Sequence, residues 1–440
     1  MRLDRLRIAA HYVHARYGRR WTGRAALERW QHACIIQHIE RIRLSSPFYR
    51  ELWGDRSAAE WAQYPVIDKS VMMAEFDRLN TAGISRKAAF RLALEAERTR
   101  DFTPAIGDIT VGMSSGTSGS RGLFLVSRRE RLAWAGTVLA RVLPGSLLGR
   151  HAIAFFLRAD SNLYGTVQGG RLDFRFYDLL DPMDRHIARL NEQRPTVLVG
   201  PPSMLRLLAD AMRAGRLHIR PRRVVGVAEV LEEIDRPVIE EAFGQRLHQV
   251  YQCTEGFLGA TCEHGTLHLN EDIVAIQKEY IDAGSGRFVP VVTDFSRTTQ
   301  PIIRYRLNDV LTEQKDSCPC GSVLQAIRRI EGRCDDIFHL TALTGDSRVA
   351  VFPDYISRAI MSASEQVEAY HAVLLDGEVL ELSLQVKEEA WLAEVKERVA
   401  GALAQLCSRV GCRLPELRFR PYDFVPGERK LRRIERRSGS

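Results

Sequence analysis

Residues 113–122 read Met-Ser-Ser-Gly-Thr-Ser-Gly-Ser-Arg-Gly, a glycine- and hydroxyl-rich stretch between two runs typical of β-strands, residues 106–111 and 123–126. Glycines let the backbone approach a ligand closely, and hydroxyls and backbone N–H groups can surround the oxygens of a polyphosphate. No Lys-Ser/Thr pair follows at the spacing of a Walker loop. The pattern therefore indicates either a phosphate-binding loop of another kind or an ordinary turn.

The composition limits the classes to which the chain can belong. Its 440 residues, 45% hydrophobic and 27% charged, predict two or three domains with a sizeable core. The net charge of +8 suits an anionic ligand or an acidic protein partner, and its even spread argues against nucleic acid. No apolar run reaches the roughly 18 residues of a membrane span, and the arginine-rich start lacks a secretion signal. The eight cysteines thus predict reduced thiols or metal ligands, and we expect a cytoplasmic protein.

The order of predicted elements indicates an α/β fold. Residues 1–50 have apolar positions at helical spacing, and residues 106–300 alternate strand-like with helix-like segments. We predict a large N-terminal lobe at 1–334, with mostly parallel sheets covered by helices, and a small mobile α+β C-terminal domain at 335–440. In parallel sheets, ligands bind at the carboxyl ends of the strands. The buried strands predicted for this sheet are residues 151–157, 196–200, 223–229 and 247–251.

Two further stretches place reactive groups after predicted strands. In Tyr251-Gln252-Cys253-Thr254-Glu255, the ring can stack on a purine, the threonine hydroxyl can reach a phosphate, and Glu255 can bind Mg²⁺. The alternative is an edge tyrosine beside a surface glutamate. After Thr293-Asp294-Phe295, the run from Pro301 ends at Asp309, a carboxylate that can accept both ribose hydroxyls or can simply occupy a turn.

Taken in order, these motifs are similar to those of a known superfamily. The set Ser-Ser-Gly-Thr-Ser-Gly, Tyr-x-x-Thr-Glu, Thr-Asp…Ile-Arg-Tyr-Arg-x-x-Asp and Gly-Arg-x-Asp-Asp resembles the adenylate-forming (acyl-activating) enzymes. The resemblance extends from about residue 45 to the C-terminus and is strongest to the phenylacetate–coenzyme A ligase clade. Trp30-Gln31 and Pro47-Phe48-Tyr49-Arg50 also resemble a subgroup encoded beside aryl polyene pigment genes, to which hydroxybenzoate loading onto an acyl carrier protein is ascribed.

The resemblance implies a two-step reaction. ATP, with Mg²⁺, activates an aromatic carboxylic acid as an acyl-adenylate, and the acyl group then passes to the phosphopantetheine thiol of an acyl carrier protein. Free coenzyme A as the acceptor is the alternative, and the basic C-terminal tail fits an acidic carrier protein or a solvated end equally well. Two other classes stay open: a non-catalytic nucleotide-binding homologue and a basic nucleic-acid-binding protein.

The resemblance also implies a role for individual residues. Thr254 contacts the α-phosphate, Glu255 binds Mg²⁺, and Asp335 is the hinge. Lys430 is the C-terminal catalytic lysine, although the same residue can be one more cation in a basic tail. The residues implied to bind the phosphates are Ser114, Ser115, Gly116, Thr117, Ser118 and Gly119. Those implied to contact adenine or ribose are Gly226, Ala228, Glu229, Tyr251, Asp309 and Arg333.

The chain departs from the pattern of the superfamily in the phosphate loop. The usual lysine after the second glycine is missing, and Arg121 is a displaced substitute for it. For the ring of the acid, the sequence offers Phe155, Phe156, Tyr164 and Gly226 as pocket residues, each of which can equally be core.

A second site is predicted from cysteine and histidine spacing. Cys318-Pro319-Cys320 on a tight turn, with Cys262 and a histidine from residues 262–268, can form a closed tetrahedral Zn²⁺ site, which would be structural. Both His264 and His268 are possible fourth ligands, and the resemblance favours His268. The alternative is a loop with unpaired thiols.

Overall fold

A computed structural model describes residues 2–18, 21–114, 121–157, 171–377, 379–424 and 431–437. The chain divides into two compact units. The first unit comprises residues 1–228, 238–307 and 312–329, and the second unit comprises residues 229–237, 308–311 and 330–440. Among the described residues, no helix has the length and hydropathy needed to cross a bilayer.

Helices dominate the N-terminal part of the first unit, as predicted for residues 1–50. Several begin with a side-chain cap: Asp68 accepts a hydrogen bond from the Val71 N–H at 2.9 Å, and Ser127 forms a reciprocal capping box with Glu130. The helices are α1 Arg2–Val13, α2 Arg24–Ser45, α3 Pro47–Trp53, α4 Lys69–Ala74, α5 Phe76–Leu79, α6 Arg86–Thr99, α7 Arg128–Val142, α8 Met183–Gln193 and α9 Pro202–Arg213, with α10 Asp235–Phe243 spanning the division.

The strands of the first unit form a hairpin and most of one large sheet. They are β1 Thr110–Met113, β2 Leu123–Val126, β3 His151–Leu157, β4 Leu172–Asp178, β5 Val197–Gly200, β6 Arg223–Gly226, β7 Leu247–Cys253, β8 Gly256–Thr261, β9 Leu267–Leu269, β10 Val274–Asp282, β11 Arg287–Asp294 and β12 Ile302–Arg306. The division of the chain falls within β13 Asp309–Glu313 and β14 Ala326–Arg333. Strands β1 and β2 pair antiparallel, so the Ser/Gly-rich stretch connects the two strands of a hairpin.

Half of the large sheet is parallel. The strand order is β4-β3-β5-β6-β7-β8-β9-β14-β13-β11-β10, with β12 beside β11. Strands β4, β3, β5, β6 and β7 run parallel, and helices α8, α9 and α10 form the crossovers from β4 to β5, from β5 to β6 and from β6 to β7. Ile153 and Val197 pack towards α7, whereas Phe156 contacts His186 of α8, so helices cover both faces. The predicted α/β class is confirmed, and a strand forms at each of the four predicted places, although β6 ends at Gly226 and β7 is only partly buried.

The other half of the sheet is antiparallel. Strand β7 turns at Thr254-Glu255 into β8, and β8 turns into β9, which pairs antiparallel with β14. The expectation of mostly parallel sheets therefore holds only up to β7. Short connections cannot carry a parallel crossover, and the loops after β7 and β8 are only a few residues long.

The second unit has its own core. A four-stranded sheet in the order β19-β18-β17-β20 packs against two helices, and a separate hairpin, β15–β16, completes the unit. Its elements are β15 Phe338–Thr341, β16 Arg348–Val351, α11 Pro353–Ala363, β17 Val367–Leu375, β18 Val379–Val386, α12 Leu392–Val410, β19 Glu416–Arg420 and β20 Ile434–Arg437.

The contact between α1 and α7 depends on a glycine. A Cβ atom at Gly136 of α7 would lie 2.6 Å from the Ile8 carbonyl oxygen and 2.9 Å from the Tyr12 nitrogen, both backbone atoms of α1. Backbone atoms cannot swing away as a flexible side chain can, so any larger residue at this position must separate the two helices.

We predict that Gly136→Ala destabilises the first unit. Overpacking costs about 1–3 kcal/mol, which outweighs the gain in helix propensity of about 1 kcal/mol. Urea denaturation should show a lower free energy of unfolding for Gly136→Ala than for the wild type. The matched control is Gly401→Ala in α12, where an added Cβ has no neighbour within 4 Å. This control should raise stability by up to about 1 kcal/mol, and a gain at both positions would contradict the tight helix contact.

Candidate functional site

The hairpin β1–β2 holds the two ends of the Ser/Gly-rich loop together. The Ser114 N–H donates to the Gly122 carbonyl at 2.7 Å, and the Gly122 N–H donates to Ser114 Oγ at 2.8 Å. The predicted phosphate-binding residues at positions 115–119 lie outside the described residues. The structure thus places Ser114 at the base of the loop, with its hydroxyl turned towards the other end.

A lysine that sequence reasoning did not identify lies at this base. Lys69 of α4 places its Nζ 3.4 Å from Ser114 Oγ. A Cβ at Gly122 would come within 2.9 Å of Lys69 Cε, so a glycine there leaves room for the lysine chain. Arg121, the substitute suggested by sequence, instead pairs with Glu97 at 2.7 Å on the surface. Only tertiary structure could bring a residue 45 positions upstream to the loop.

The turn after β7 arranges the predicted catalytic pair. Thr254 Oγ1 donates to Glu255 Oε2 at 2.7 Å, and the Tyr305 hydroxyl donates to Glu255 Oε1 at 2.9 Å. Burial, reinforced by the charge of Glu255, raises the pKa of Tyr305, so its hydroxyl stays protonated as a donor. Each carboxylate oxygen keeps a second lone pair, so Glu255 fits the role of a Mg²⁺ ligand. Tyr305 belongs to the motif Ile-Arg-Tyr-Arg-x-x-Asp, but the sequence alone predicted no role for it.

Arg297 joins this turn to the hairpin. Its guanidinium is buried and donates to the Thr254 carbonyl at 2.8 Å and to the Leu125 carbonyl at 3.2 Å. Gln300, three residues later, accepts from the Leu125 N–H at 2.8 Å and donates to the Leu123 carbonyl at 3.1 Å. Residues 297–300 therefore hold strand β2, which leaves the loop, in a fixed relation to Thr254.

A buried carboxylate secures the same segment. Glu130 Oε1 accepts from the backbone N–H groups of Thr298 at 2.6 Å and Thr299 at 2.8 Å. Burial raises the pKa of Glu130, but hydrogen bonds from Thr299 and the charge of Arg297 outweigh it, so the net pKa lies below its usual value. The carboxylate is thus ionised at neutral pH and ties α7 to residues 297–300.

The strand ends carry the residues assigned to adenine. Gly226 ends β6, and Tyr251 lies in β7 with only 6% of its surface exposed. Ala228 has a φ of 67°, a left-handed conformation that is costly for a residue with a Cβ. Such strain is concentrated at functional positions, and it marks the segment that follows β6. Beside Tyr251, Gln252 accepts from Trp134 Nε1 at 3.2 Å.

The proposed ring pocket is only partly described. Phe156 is fully buried and stacks on Tyr177 with ring centroids 4.6 Å apart, so it is a core residue and the pocket suggestion for it is wrong. Phe155 packs on Phe174 at 5.7 Å, and Tyr164 lies outside the described residues.

The second unit contains the remaining predicted nucleotide and hinge residues. Asp309 begins β13, Arg333 ends β14, and Asp335 accepts a hydrogen bond from Asn308. Glu229, which sequence reasoning placed beside adenine, accepts from the Leu431 N–H at 3.0 Å. Lys430 lies outside the described residues.

The predicted metal ligands meet in the first unit. Cys262, His268, Cys318 and Cys320 place their ligand atoms within 4.8 Å of one another. The Cys262–Cys318 Sγ distance is 3.6 Å, and Cys320 Sγ lies 3.4 Å from His268 Nε2. Zn–S bonds of about 2.3 Å at tetrahedral angles separate two sulfurs by about 3.8 Å, so the four groups fit one Zn²⁺.

The histidine of this cluster is already oriented for metal. His268 Nδ1 lies 3.1 Å from the Leu324 carbonyl oxygen, an arrangement that leaves Nε2 as the ligand atom. His264, the rival in sequence, is exposed and lies near Glu263 at 3.7 Å, outside the cluster.

Comparison with known proteins identifies relatives for part of the chain. No family model matches it. Indoleacetate–lysine synthetase of Pseudomonas savastanoi is 31% identical over 133 residues, which cover 29% of this chain and 32% of that protein. Phenylacetate–coenzyme A ligase of Thermus thermophilus is 24% identical over 236 residues, which cover 49% of this chain and 51% of that protein. The matches therefore span about a third and about half of the lengths of these relatives.

Comparison with solved structures shows a similar fold over nearly the whole chain. A structure of 2-hydroxyisobutyryl-CoA ligase superposes with a TM-score of 0.69 at 20% identity, covering 93% of this chain and 89% of that one. At 20% sequence identity, this structural similarity establishes the fold alone. The chain therefore shares the fold of 2-hydroxyisobutyryl-CoA ligase, and about half of it is similar in sequence to phenylacetate–coenzyme A ligase.

Proposed function

We propose that the protein uses ATP to activate an aromatic carboxylic acid, such as a hydroxybenzoate, as an acyl-adenylate. It then transfers the acyl group to the phosphopantetheine thiol of an acyl carrier protein. The observation that carries the proposal is the set of Thr254, Glu255 and Tyr305, which Arg297 joins to the exit strand of the Ser/Gly-rich loop. Through these contacts, the strand that leaves the proposed phosphate-binding loop, the Thr254 hydroxyl and the proposed magnesium ligand Glu255 are held in fixed positions relative to one another.

The first step joins two anions, so it needs positive charge. The substrate carboxylate attacks the α-phosphorus of ATP, a bond to phosphorus forms, and the bond to pyrophosphate breaks. Mg²⁺, bound through Glu255, would neutralise charge on the phosphates. Lys69, at the base of the loop, supplies a cation from the protein, and Lys430 supplies a second one.

The second step replaces AMP by a thiol. The sulfur attacks the acyl carbon, the bond from that carbon to the phosphate oxygen breaks, and AMP leaves. We propose that Asp335 is the pivot about which the second unit turns between the two steps, and that Asp309 and Arg333 bind the ribose. A hinge of this kind allows one small domain to serve both half-reactions.

The sequence relatives support an aromatic acid but leave the acceptor open. Their names include indoleacetate and phenylacetate, both aryl acids, and one names coenzyme A while the other names lysine. An aryl–coenzyme A ligase is therefore the second candidate function, favoured by the longer of the two sequence matches.

We further propose that Zn²⁺ bound by Cys262, His268, Cys318 and Cys320 is structural. The four protein groups would fill a tetrahedral coordination sphere, which would leave no position for a reactive water. Strand β9, which carries His268, pairs with β14, which follows the loop of Cys318 and Cys320. The metal would thus hold together the loop ends of two adjacent strands.

The function is tested by pyrophosphate release with a panel of benzoates and arylacetates. We expect release that depends on one of these acids, with thioester formation on a phosphopantetheinylated carrier protein exceeding that on free coenzyme A. The reverse preference would support the aryl–coenzyme A ligase. ATP binding without acid-dependent release from any panel member would refute both and support a non-catalytic homologue. Lys430→Ala should bind ATP but lose most of the release, since its role is in the transition state.

A separate measurement tests the metal. Protein purified without added zinc and washed with a weak chelator should retain one zinc per chain, and Cys320→Ser should lose most of it and unfold at a lower temperature. The control is His264→Ala, which should keep the full zinc content because its side chain lies outside the cluster. Metal-free wild type of unchanged stability would contradict a structural zinc.

The loop cation is tested by Lys69→Met. A hydrogen bond from a charged donor is worth about 1.5–3 kcal/mol, so kcat/KM for ATP should fall by roughly 10- to 100-fold. Arg121→Met is the comparison, because Arg121 flanks the same loop but pairs with Glu97. We expect Arg121→Met to have the smaller effect. The opposite order would make Arg121 the cation of the loop.

A further inference from the structure

Helix α1 carries apolar residues on two opposite faces. One face packs on α7, where Ile8 and Tyr12 are buried in a core cluster with residues of that helix. The Tyr12 hydroxyl also donates to the Gly145 carbonyl at 3.1 Å, and the close approach to Gly136 belongs to the same face. These contacts fix the rotation of α1 about its own axis. They therefore also fix which residues the other face presents to solvent.

The opposite face is an exposed apolar stripe. Positions 3, 6, 10, 13 and 17 follow one another at intervals of three and four, so they lie along one side of α1 and of the helical turn His14–Gly18 that continues it. Single exposed apolar residues are ordinary, but a row of large ones along one helix is typical of a binding surface. We call its four large side chains the α1 stripe, and their exposed fractions are 71% for Leu3, 67% for Leu6 and 54% each for Val13 and Tyr17.

Positive charge flanks the α1 stripe. Residues 1–20 contain six arginines and a single acid, Asp4, which pairs with Arg128 of α7 at 2.9 Å. Arg5 and Arg7 are exposed, and their helical spacing places them on opposite sides of the stripe. Neither of the two forms a hydrogen bond or an ion pair with another described residue. The even spread of charge expected from the sequence therefore does not hold at α1.

An anionic lipid surface complements both features of this face. It offers hydrocarbon to the apolar side chains and negative head groups to the arginines beside them. Arginine can reach a head group while its aliphatic part stays against apolar surface. An acidic protein would need apolar residues and carboxylates arranged in the same pattern, whereas a lipid surface presents both at every point. A second copy of the chain would bring two arginine-flanked stripes together, and like charges repel.

We propose that α1 binds the surface of an anionic membrane, with the α1 stripe among the upper parts of the acyl chains and with Arg5 and Arg7 at the head groups. The helix has 12 residues, fewer than the roughly 20 that a membrane span needs, so it lies in the plane of the surface. This binding uses neither Thr254 nor Glu255. It is therefore independent of the proposed reaction and can be measured without ATP or acid.

The test is co-sedimentation of the full chain with lipid vesicles. Vesicles of phosphatidylcholine and phosphatidylglycerol in equal parts are compared with vesicles of phosphatidylcholine alone. Wild type should bind the anionic vesicles at least about tenfold more strongly, because each arginine near a negative surface adds to the affinity. Raising the salt concentration should weaken this binding, because salt screens the charge of the head groups.

Two double variants separate the apolar from the charged contribution. Leu3→Gln/Leu6→Gln should lower the affinity for anionic vesicles by at least about tenfold, because two large side chains no longer leave water. Arg5→Gln/Arg7→Gln should abolish the preference for anionic over neutral vesicles. All four positions are exposed, and glutamine is nearly as good a helix former as leucine or arginine. Urea denaturation should therefore show an unchanged free energy of unfolding for both variants.

The matched control changes the same residue types at the far end of another helix. Arg41 and Leu44 lie near the C-terminal end of α2, where Leu44 is 84% exposed and Arg41 is exposed as well. Arg41→Gln/Leu44→Gln should keep both the affinity for anionic vesicles and the preference over neutral ones.

Several outcomes would overturn the proposal. One is the absence of vesicle binding, and another is equal binding to both kinds of vesicle. Binding that Leu3→Gln/Leu6→Gln retains would show that charge alone is responsible, as it would be for nucleic acid. A dimer seen by light scattering that this variant loses would make a second copy the occupant of the face. Binding to an acidic carrier protein that depends on Leu3 and Leu6, without binding to vesicles, would make a protein the occupant.

Discussion

The candidate site of the first unit depends on one buried guanidinium. Arg297 donates to the carbonyls of Thr254 and Leu125, and so it fixes the turn that carries Glu255 against the strand that leaves the Ser/Gly-rich loop. Glu130 holds the neighbouring backbone through the N–H groups of residues 298 and 299. Each of these two buried ions is stabilised by several hydrogen bonds. The same contacts therefore stabilise the core and position the candidate site residues Thr254 and Glu255.

The parallel and antiparallel halves of the large sheet carry different candidate sites. The parallel half offers the ends of β6 and β7, where Gly226 and Tyr251 lie and where α/β proteins usually bind their ligands. Among its described residues, the antiparallel half has no crossover helices to order its connections. A zinc ion at Cys262, His268, Cys318 and Cys320 would order two of them and would support β8, the strand that begins directly after Glu255.

The second unit fixes the residues of its C-terminal strand through several contacts. Strand β20 pairs with β17, the Arg433 side chain is buried, and Glu229 accepts from the Leu431 N–H. In the first unit, the hydrogen bonds of Arg297 fix the turn of Glu255 in a similar way.

The sequence by itself determined the α/β class, the places of four strands, the order of the motifs that resemble those of adenylate-forming enzymes, and the three cysteines that meet in space with a histidine. These properties follow from local periodicity and from side-chain chemistry, which can be read residue by residue. Only the tertiary structure decided that Lys69 lies beside Ser114 while Arg121 pairs with Glu97, and that Tyr305 donates to Glu255 while Arg297 donates to the Thr254 carbonyl. It also decided that Phe156 is core, that His268 and not His264 joins the cysteines, and that Glu229 accepts from the Leu431 N–H. Each of these depends on a contact between residues far apart in the chain. No local pattern specifies such a pairing, because it is the packing of whole strands and helices that brings the two partners together.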